Sequence, residues 1–493
     1  MSTDNLTHTP GNQERMNRLV NLPRQAFHVL MSKPWLLGYI LMIQAAFQGV
    51  IIAHWGIVGN ILTLAICCVF LVATYVQTKD IRGLAYTAVL GTRTQQLAAL
   101  FVLSLIITVV WGDHSYSTFL SLGQKITFLL IMAVVIDAMR RKETITSFAW
   151  VSSGSVVLLF IVMLVEYYSG IDLTMLNEQW HVPRDFCKGI NHVRMGHLTI
   201  DNLYGTNRLA FYAILPTALG MGLIQTSKRL LPKALAALMM ILIIFWVILS
   251  GSRSGTLAIL ITCLTFFVIN TRSWKAAFSY AVTGSAILAT AFLLLWLLPA
   301  GVTSLERMVK HDALSRILSS HALNFGLCDK DSATTAKPAM AKVPEKVITV
   351  RNNYKRGITI DEGRQRNWQI ALDVFLEHPL GGSGFRTSTD EVLVRVPDAK
   401  VTDMHSGYLT VLSESGLLAT LPLAALLVCT LVLLFRSIPN VSGETIIWKA
   451  VFCSAFTGML AANLTASYLF ERHLWVVLAF TAVIEVWRRE GNV

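Results

Sequence analysis

Runs of about 20 apolar residues recur along this chain, and that is the length at which an α-helix crosses the hydrocarbon core of a bilayer. They lie near 35–54, 57–76, 93–111, 119–138, 147–166, 205–224, 234–250, 255–270, 277–298, 405–435, 450–469 and 474–487, twelve in all. The tenth is long enough to be tilted or broken. Of 493 residues, 54% are hydrophobic and 14% charged, against roughly 25% charged in an average soluble protein. The mean hydropathy of +0.57 points the same way. A soluble domain with that balance would expose large apolar patches. A transmembrane barrel is excluded too, because its strands would read as short alternating segments rather than long apolar runs. The reading is an all-α polytopic membrane protein of about twelve spans.

Orientation follows from the basic residues that flank the spans. With the N-terminus inside, the inner flanks carry eighteen Lys or Arg, among them Arg140, Arg141, Arg436, Lys449, Arg488 and Arg489, whereas the short outer loops carry two, Arg253 and Arg472. That asymmetry puts both chain ends on the cytoplasmic side. Residues 1–33 are polar, without the apolar stretch and cleavage site of a signal peptide, and read as a cytoplasmic tail. Spans one to nine then occupy 34–298, with an outer loop at 167–204. A large outer domain follows at 299–404, ahead of the last three spans at 405–487 and a short tail at 488–493. The formal charge of +12 follows this topology, so a nucleic-acid binder is not viable. Five of the seven cysteines (Cys67, Cys68, Cys263, Cys429 and Cys453) fall inside apolar runs, and no zinc-ligand spacing is present.

Several outer residues demand a chemical reason. Arg253 sits in SGSRSGTLAIL, a turn of small residues between two spans, on the side where the positive-inside bias works against it. Either it reaches lipid headgroups or it holds an anion: a guanidinium binds phosphate oxygens as a fork, and the small neighbours admit close approach. The outer domain holds VRNNYKR from Val350 to Arg356, and further cations at Arg364, Arg366 and Arg386, which offer an anion-binding face. His405, in DMHSGYLTVLSESG where the chain returns to the membrane, could cap a helix or act as a base, with Asp403 or Glu414 to orient it. Tyr408 lies within a turn of it and could line a sugar path or belong to an interfacial tyrosine belt. Arg208, in GTNRLAFYAILP, could join a phosphate site or anchor its span. Arg366 is two residues from Arg364 and would point elsewhere on a helix. Trp368 and the HPLGGSG turn read as structural.

Three of these segments together resemble a known family. Arg253 and Leu257 stand in an R-x3-L arrangement, GRQRNWQIALDVFLEHPLGGSGF is similar to a G-R-x3-W…hPl-G-x-G segment, and His405-Ser406 followed by nine residues and Gly416 resembles H-[NSQ]-x9-G. In this order on such a chain they resemble the O-antigen ligase and polymerase superfamily, from about Gly205 into the last spans. Ala419 stands where the ligase form of the last motif has a second glycine. The resemblance implies a fold similar to membrane-embedded glycosyltransferases of the GT-C type. It also implies transfer of a polysaccharide from undecaprenyl diphosphate to the lipid A core at the periplasmic face of the inner membrane, without cofactor or metal. Carried onto this sequence, it makes Arg253 and Arg364, with Arg208 as a further candidate, the diphosphate-binding cations and His405 the base.

The bottom-up chemistry agrees. A sugar diphosphate is already activated, so what remains is to stabilise a leaving group that gains negative charge and to take one proton. Inversion needs one displacement and one base, and no second carboxylic acid suited to retaining chemistry stands out. A polymerase would use the same parts with a lipid-linked acceptor. A lipid or polysaccharide transporter would instead place ionisable groups near the midplane and show repeated halves. Cys187 and Cys328 are the two cysteines of the outer loops, and an oxidising periplasm would let them pair.

Overall fold

The computed structural model describes residues 28–47, 58–80, 90–109, 116–169, 210–249, 252–271, 360–396, 404–436 and 443–489, with 282, 284–291 and 293 of the ninth expected span. Arg208, Cys187, Cys328, Asp403, the run Arg351–Arg356, nearly all of the loop 167–204, most of 299–404 and both chain ends lie outside the described residues.

The protein is an all-α polytopic membrane protein, and no strand occurs among the described residues. Eleven of the expected spans fall on helices: α1 (Leu36–Ala46), α2 (Val58–Thr78), α3 (Arg93–Thr108), α4 (Tyr116–Met139), α5 (Lys142–Ser169), α6 (Ile214–Thr226), α7 (Leu230–Leu249), α8 (Arg253–Asn270), α11 (Gly407–Phe435), α12 (Gly443–Thr465) and α13 (Arg472–Arg489). Two more, α9 (Ile360–Glu377) and α10 (Ser388–Arg395), come from the expected outer domain.

Inside a bilayer, lipid is as apolar as leucine, so close packing and buried polar bonds join the helices rather than water exclusion. Helices α8 and α12 make the tightest approach. A Cβ at Gly458 would stand 3.0 Å from the Ala258 carbonyl oxygen and run into the Thr262 side chain, and the Thr457 hydroxyl donates to Thr265 at 3.1 Å. Helix α6 is wrapped by α5, α7 and α12, with Ile214, Leu215, Ala218 and Leu219 wholly buried. Trp475 of α13 packs on Phe128 of α4, ring centroids 5.3 Å apart.

Basic residues of the expected inner flanks meet at one end of the bundle. Glu485 of α13 accepts the Arg93 and Thr94 amides at 2.9 and 3.1 Å, capping the N-terminus of α3. Trp487 Nε1 donates to the Arg140 carbonyl, and both Lys449 and Arg488 donate to the Arg436 carbonyl at the end of α11. The first residues of α8, α11 and α13 therefore stand at the opposite end. If the α8–α12 seam sets the spacing of the bundle, Gly458→Leu should cost about 1–3 kcal/mol through overpacking. A lowered unfolding midpoint in detergent would register the loss, and an unchanged midpoint would contradict it.

Candidate functional site

The site is organised by a break in α11. Gly416 adopts φ +54° in the middle of that helix, so carbonyls of the turn before it lose their helical partners. The turn after α9 supplies replacements. Ser383 and Gly384 donate their amides to the Ser413 and Glu414 carbonyls at 3.0 and 2.8 Å, and Leu417 and Leu418 donate to the Pro379 and Leu380 carbonyls at 2.9 and 3.0 Å. A side chain at Gly382 or Gly416 would collide with the opposing backbone, and both positions have the positive φ that favours glycine. The HPLGGSG turn and the last glycine of the H-x9-G motif are thus two halves of one joint.

That joint lays α9 along the first part of α11. Ile370, Ala371 and Val374 of α9 form a buried cluster with Val392 of α10 and Met404. Arg364 and Arg366 lie further out on α9 and flank its buried Asn367. Both guanidiniums are half-buried, and their Nε atoms, like Trp368 Nε1, are buried without a hydrogen-bond partner. His405 directly follows Met404. It is half-buried with φ +49°, a conformation uncommon for a non-glycine residue. Its neighbours impose this geometry: Met404 is buried in the α9 cluster, the Ser406 hydroxyl caps α11 at Leu409, and the Gly407 amide donates to the Ala466 carbonyl at 3.1 Å.

Arg253 reaches the same level by another route. It is the exposed first residue of α8, behind the buried N-cap Ser252, whose hydroxyl accepts the Gly255 amide at 3.1 Å. Nine residues outward from the Thr262–Gly458 contact, α8 has Arg253 and α12 leads to Ser467, beside Ala466 and hence Gly407. Gly255 also lies against Ala210, close in sequence to Arg208. The amides at the start of α8 and its first side chain both favour an anion.

Beneath this level lies a second charged layer that the sequence reading passed over. Lys125 of α4 is buried, with Nζ 4.4 Å from the centroid of the Phe470 ring. It interacts electrostatically with Glu471, Arg386, Glu414 and Arg472. Of these groups Lys125 and Glu414 are buried, Glu471 and Arg472 half-buried and Arg386 exposed. Glu471 accepts the Tyr212 hydroxyl at 3.2 Å, and Arg472 Nη1 donates to Gln44 and Thr63 at 3.2 and 2.6 Å. Arg386, at φ +71°, is left-handed like His405. A lysine within an apolar run was the signal available in the sequence.

One expected role changes, that of Glu414. Glu414 stands nine residues along α11 from His405, about 13 Å of helical rise, and its carboxylate accepts amides of the α10 start, Ser388 at 3.3 Å among them. It orients the hairpin rather than the histidine. The Tyr408 hydroxyl donates to the Leu460 carbonyl at 3.0 Å, a bond that ties α11 to α12. Among the described residues no three His, Cys, Asp or Glu side chains gather as metal ligands.

Residues 238–424 match the family model described as O-antigen ligase. That stretch is similar to the O-antigen ligase family. The matched stretch runs from within α7 into α11 and encloses Arg253, Arg364, Arg366, His405 and both halves of the Gly416 joint; Lys125 and Arg472 lie outside it. No curated protein matches the chain. The match, on a multi-pass membrane chain, supports a glycosyl-transferring enzyme. Since the joint aligns α9 with α11, Gly416→Ala should expose the segment 360–396 to proteolysis while the bundle stays folded, costing more than about 1 kcal/mol at a site where alanine is strained. Unchanged cleavage would contradict the joint.

Proposed function

We propose that this protein is an O-antigen ligase. On this reading it transfers polysaccharide from undecaprenyl diphosphate to a hydroxyl of the lipid A core, at the periplasmic face of the inner membrane, with inversion. The observation that supports the reading is that Arg253 and His405, both inside the stretch that matches the ligase family, stand at the same end of the bundle, with the buried Lys125 below them.

The division of labour follows from charge. The leaving diphosphate gains negative charge as the anomeric C–O bond breaks, and fixed cations favour that state more than the ground state. Arg253 and Arg364 hold the phosphates, with Arg208 a further candidate and Arg366 facing the sugar path. Lys125 and Arg386 extend the positive field below. His405 takes the proton of the acceptor hydroxyl as its oxygen attacks the anomeric carbon, so one base serves one displacement. The left-handed backbone at His405 is consistent with that task, because conformations of this kind persist where surrounding structure enforces them and concentrate at active sites. The polymerase reading keeps one specific observation in its favour, Ala419 in place of the second glycine of the ligase motif.

Purified protein given lipid-linked glycan and lipid A core should form the capped product, unaffected by a chelator. A product made only from two lipid-linked glycans would establish the polymerase. His405→Ala should abolish transfer and let donor accumulate. Arg253→Lys should recover little activity, since the ammonium lacks the fork, and Lys125→Met should slow transfer by about 10²-fold, typical of losing one charge-stabilising group. Normal turnover by His405→Ala would remove the base assignment.

A further inference from the structure

We infer that the α9–α10 hairpin is a re-entrant element whose leucine face contacts the acyl chains of the leaflet at the His405 end, rather than part of a water-borne domain. Leu372 and Leu376 are one turn apart on α9, and Leu380 follows in the turn; they are 44%, 73% and 74% exposed. Val394 of α10 is 78% exposed. Among the described residues nothing covers this apolar row.

Its continuation identifies the partner. Leu380 is joined through its carbonyl to the amide of Leu418. From Leu418 onward α11 exposes Leu421, Val428, Val432 and Phe435 along a helix apolar enough to cross a membrane. The leucine row therefore runs on into the exposed face of a helix apolar enough to lie in lipid. One cation of the hairpin is satisfied internally. Arg395 pairs with both Glu377 and Glu391, and those carboxylates hold the guanidinium up against the downward pull of its burial. Irregular backbone is tolerated at membrane depth only where protein buries it. Gly382, Gly384 and Gly416 meet that condition, being buried, and the amides of Ser383, Gly384 and Leu417 are all bonded across the joint.

The test is to place the full-length protein in nanodiscs of phosphatidylethanolamine and phosphatidylglycerol carrying a photoreactive diazirine in the acyl chain, then map the cross-links by mass spectrometry. Labels on 372–380 at a yield within about threefold of that on 418–435 are expected. The exposed polar positions Gln365 and Gln369 of the same helix should carry few. Absence of label from 372–380 while 418–435 is labelled would overturn the inference. So would equal modification of Leu376 and Gln369 by a water-borne hydroxyl-radical footprint of the same sample. Neither readout depends on glycan transfer, so failure here leaves the enzymatic proposal standing.

Discussion

The constraint on which the rest depends is the loss of helical hydrogen bonding at Gly416. A helix broken near the edge of a bilayer leaves carbonyls that lipid cannot satisfy, and each costs several kcal/mol if left alone. The turn at 379–384 makes good the loss, and in doing so it fixes a second helix against the first. Four backbone bonds hold together two sequence motifs that are about thirty residues apart. The position of Arg364 and Arg366 relative to His405 is a consequence of that joint and of the Ile370–Met404 packing above it.

Charge is distributed in two levels at that end of the molecule. The upper level holds exposed or half-buried groups that a substrate could approach. The lower one, around Lys125 and Glu414, is sealed among aromatic rings and carboxylates. Buried ion clusters are costly to assemble and weak evidence for stability. On the proposed reading, the buried Lys125 beneath a set of arginines adds attraction for a diphosphate with less screening than an exposed charge would suffer. The opposite end is built differently: Arg436 and Arg140 lend their carbonyls to tryptophan, lysine and arginine donors, and Glu485 caps a helix. Those contacts serve the scaffold.

Much of this was legible in the residues. Apolar run length located eleven of the helices that are described, and the excess length of the tenth run pointed to a tilt or a break before Gly416 was seen in its left-handed conformation. Arg253 and His405 stood out because each sits where a bland residue would serve better. Other features were not readable. Lys125 was lost inside a run judged by average hydropathy, and only the packing of α4 on α13 shows what surrounds it. Glu414 looked close to His405 in sequence, yet nine residues of helix carry it to another level. The sequence places the hairpin within the large outer domain at 299–404. Its leucine row, at positions four apart, joins the exposed face of α11 only when α9 is docked on that helix.

The central claim is that cations and imidazole serve different substrates: the first bind the phosphates of the donor and the second takes the proton of the acceptor. Binding of undecaprenyl diphosphate to the purified protein, followed by native mass spectrometry, separates the two. Arg253→Gln is expected to weaken that binding by at least about tenfold, the loss of a charge-assisted contact worth roughly 1.5–3 kcal/mol, while His405→Gln leaves it unchanged. Full binding by the arginine variant together with loss in the histidine variant would contradict the account.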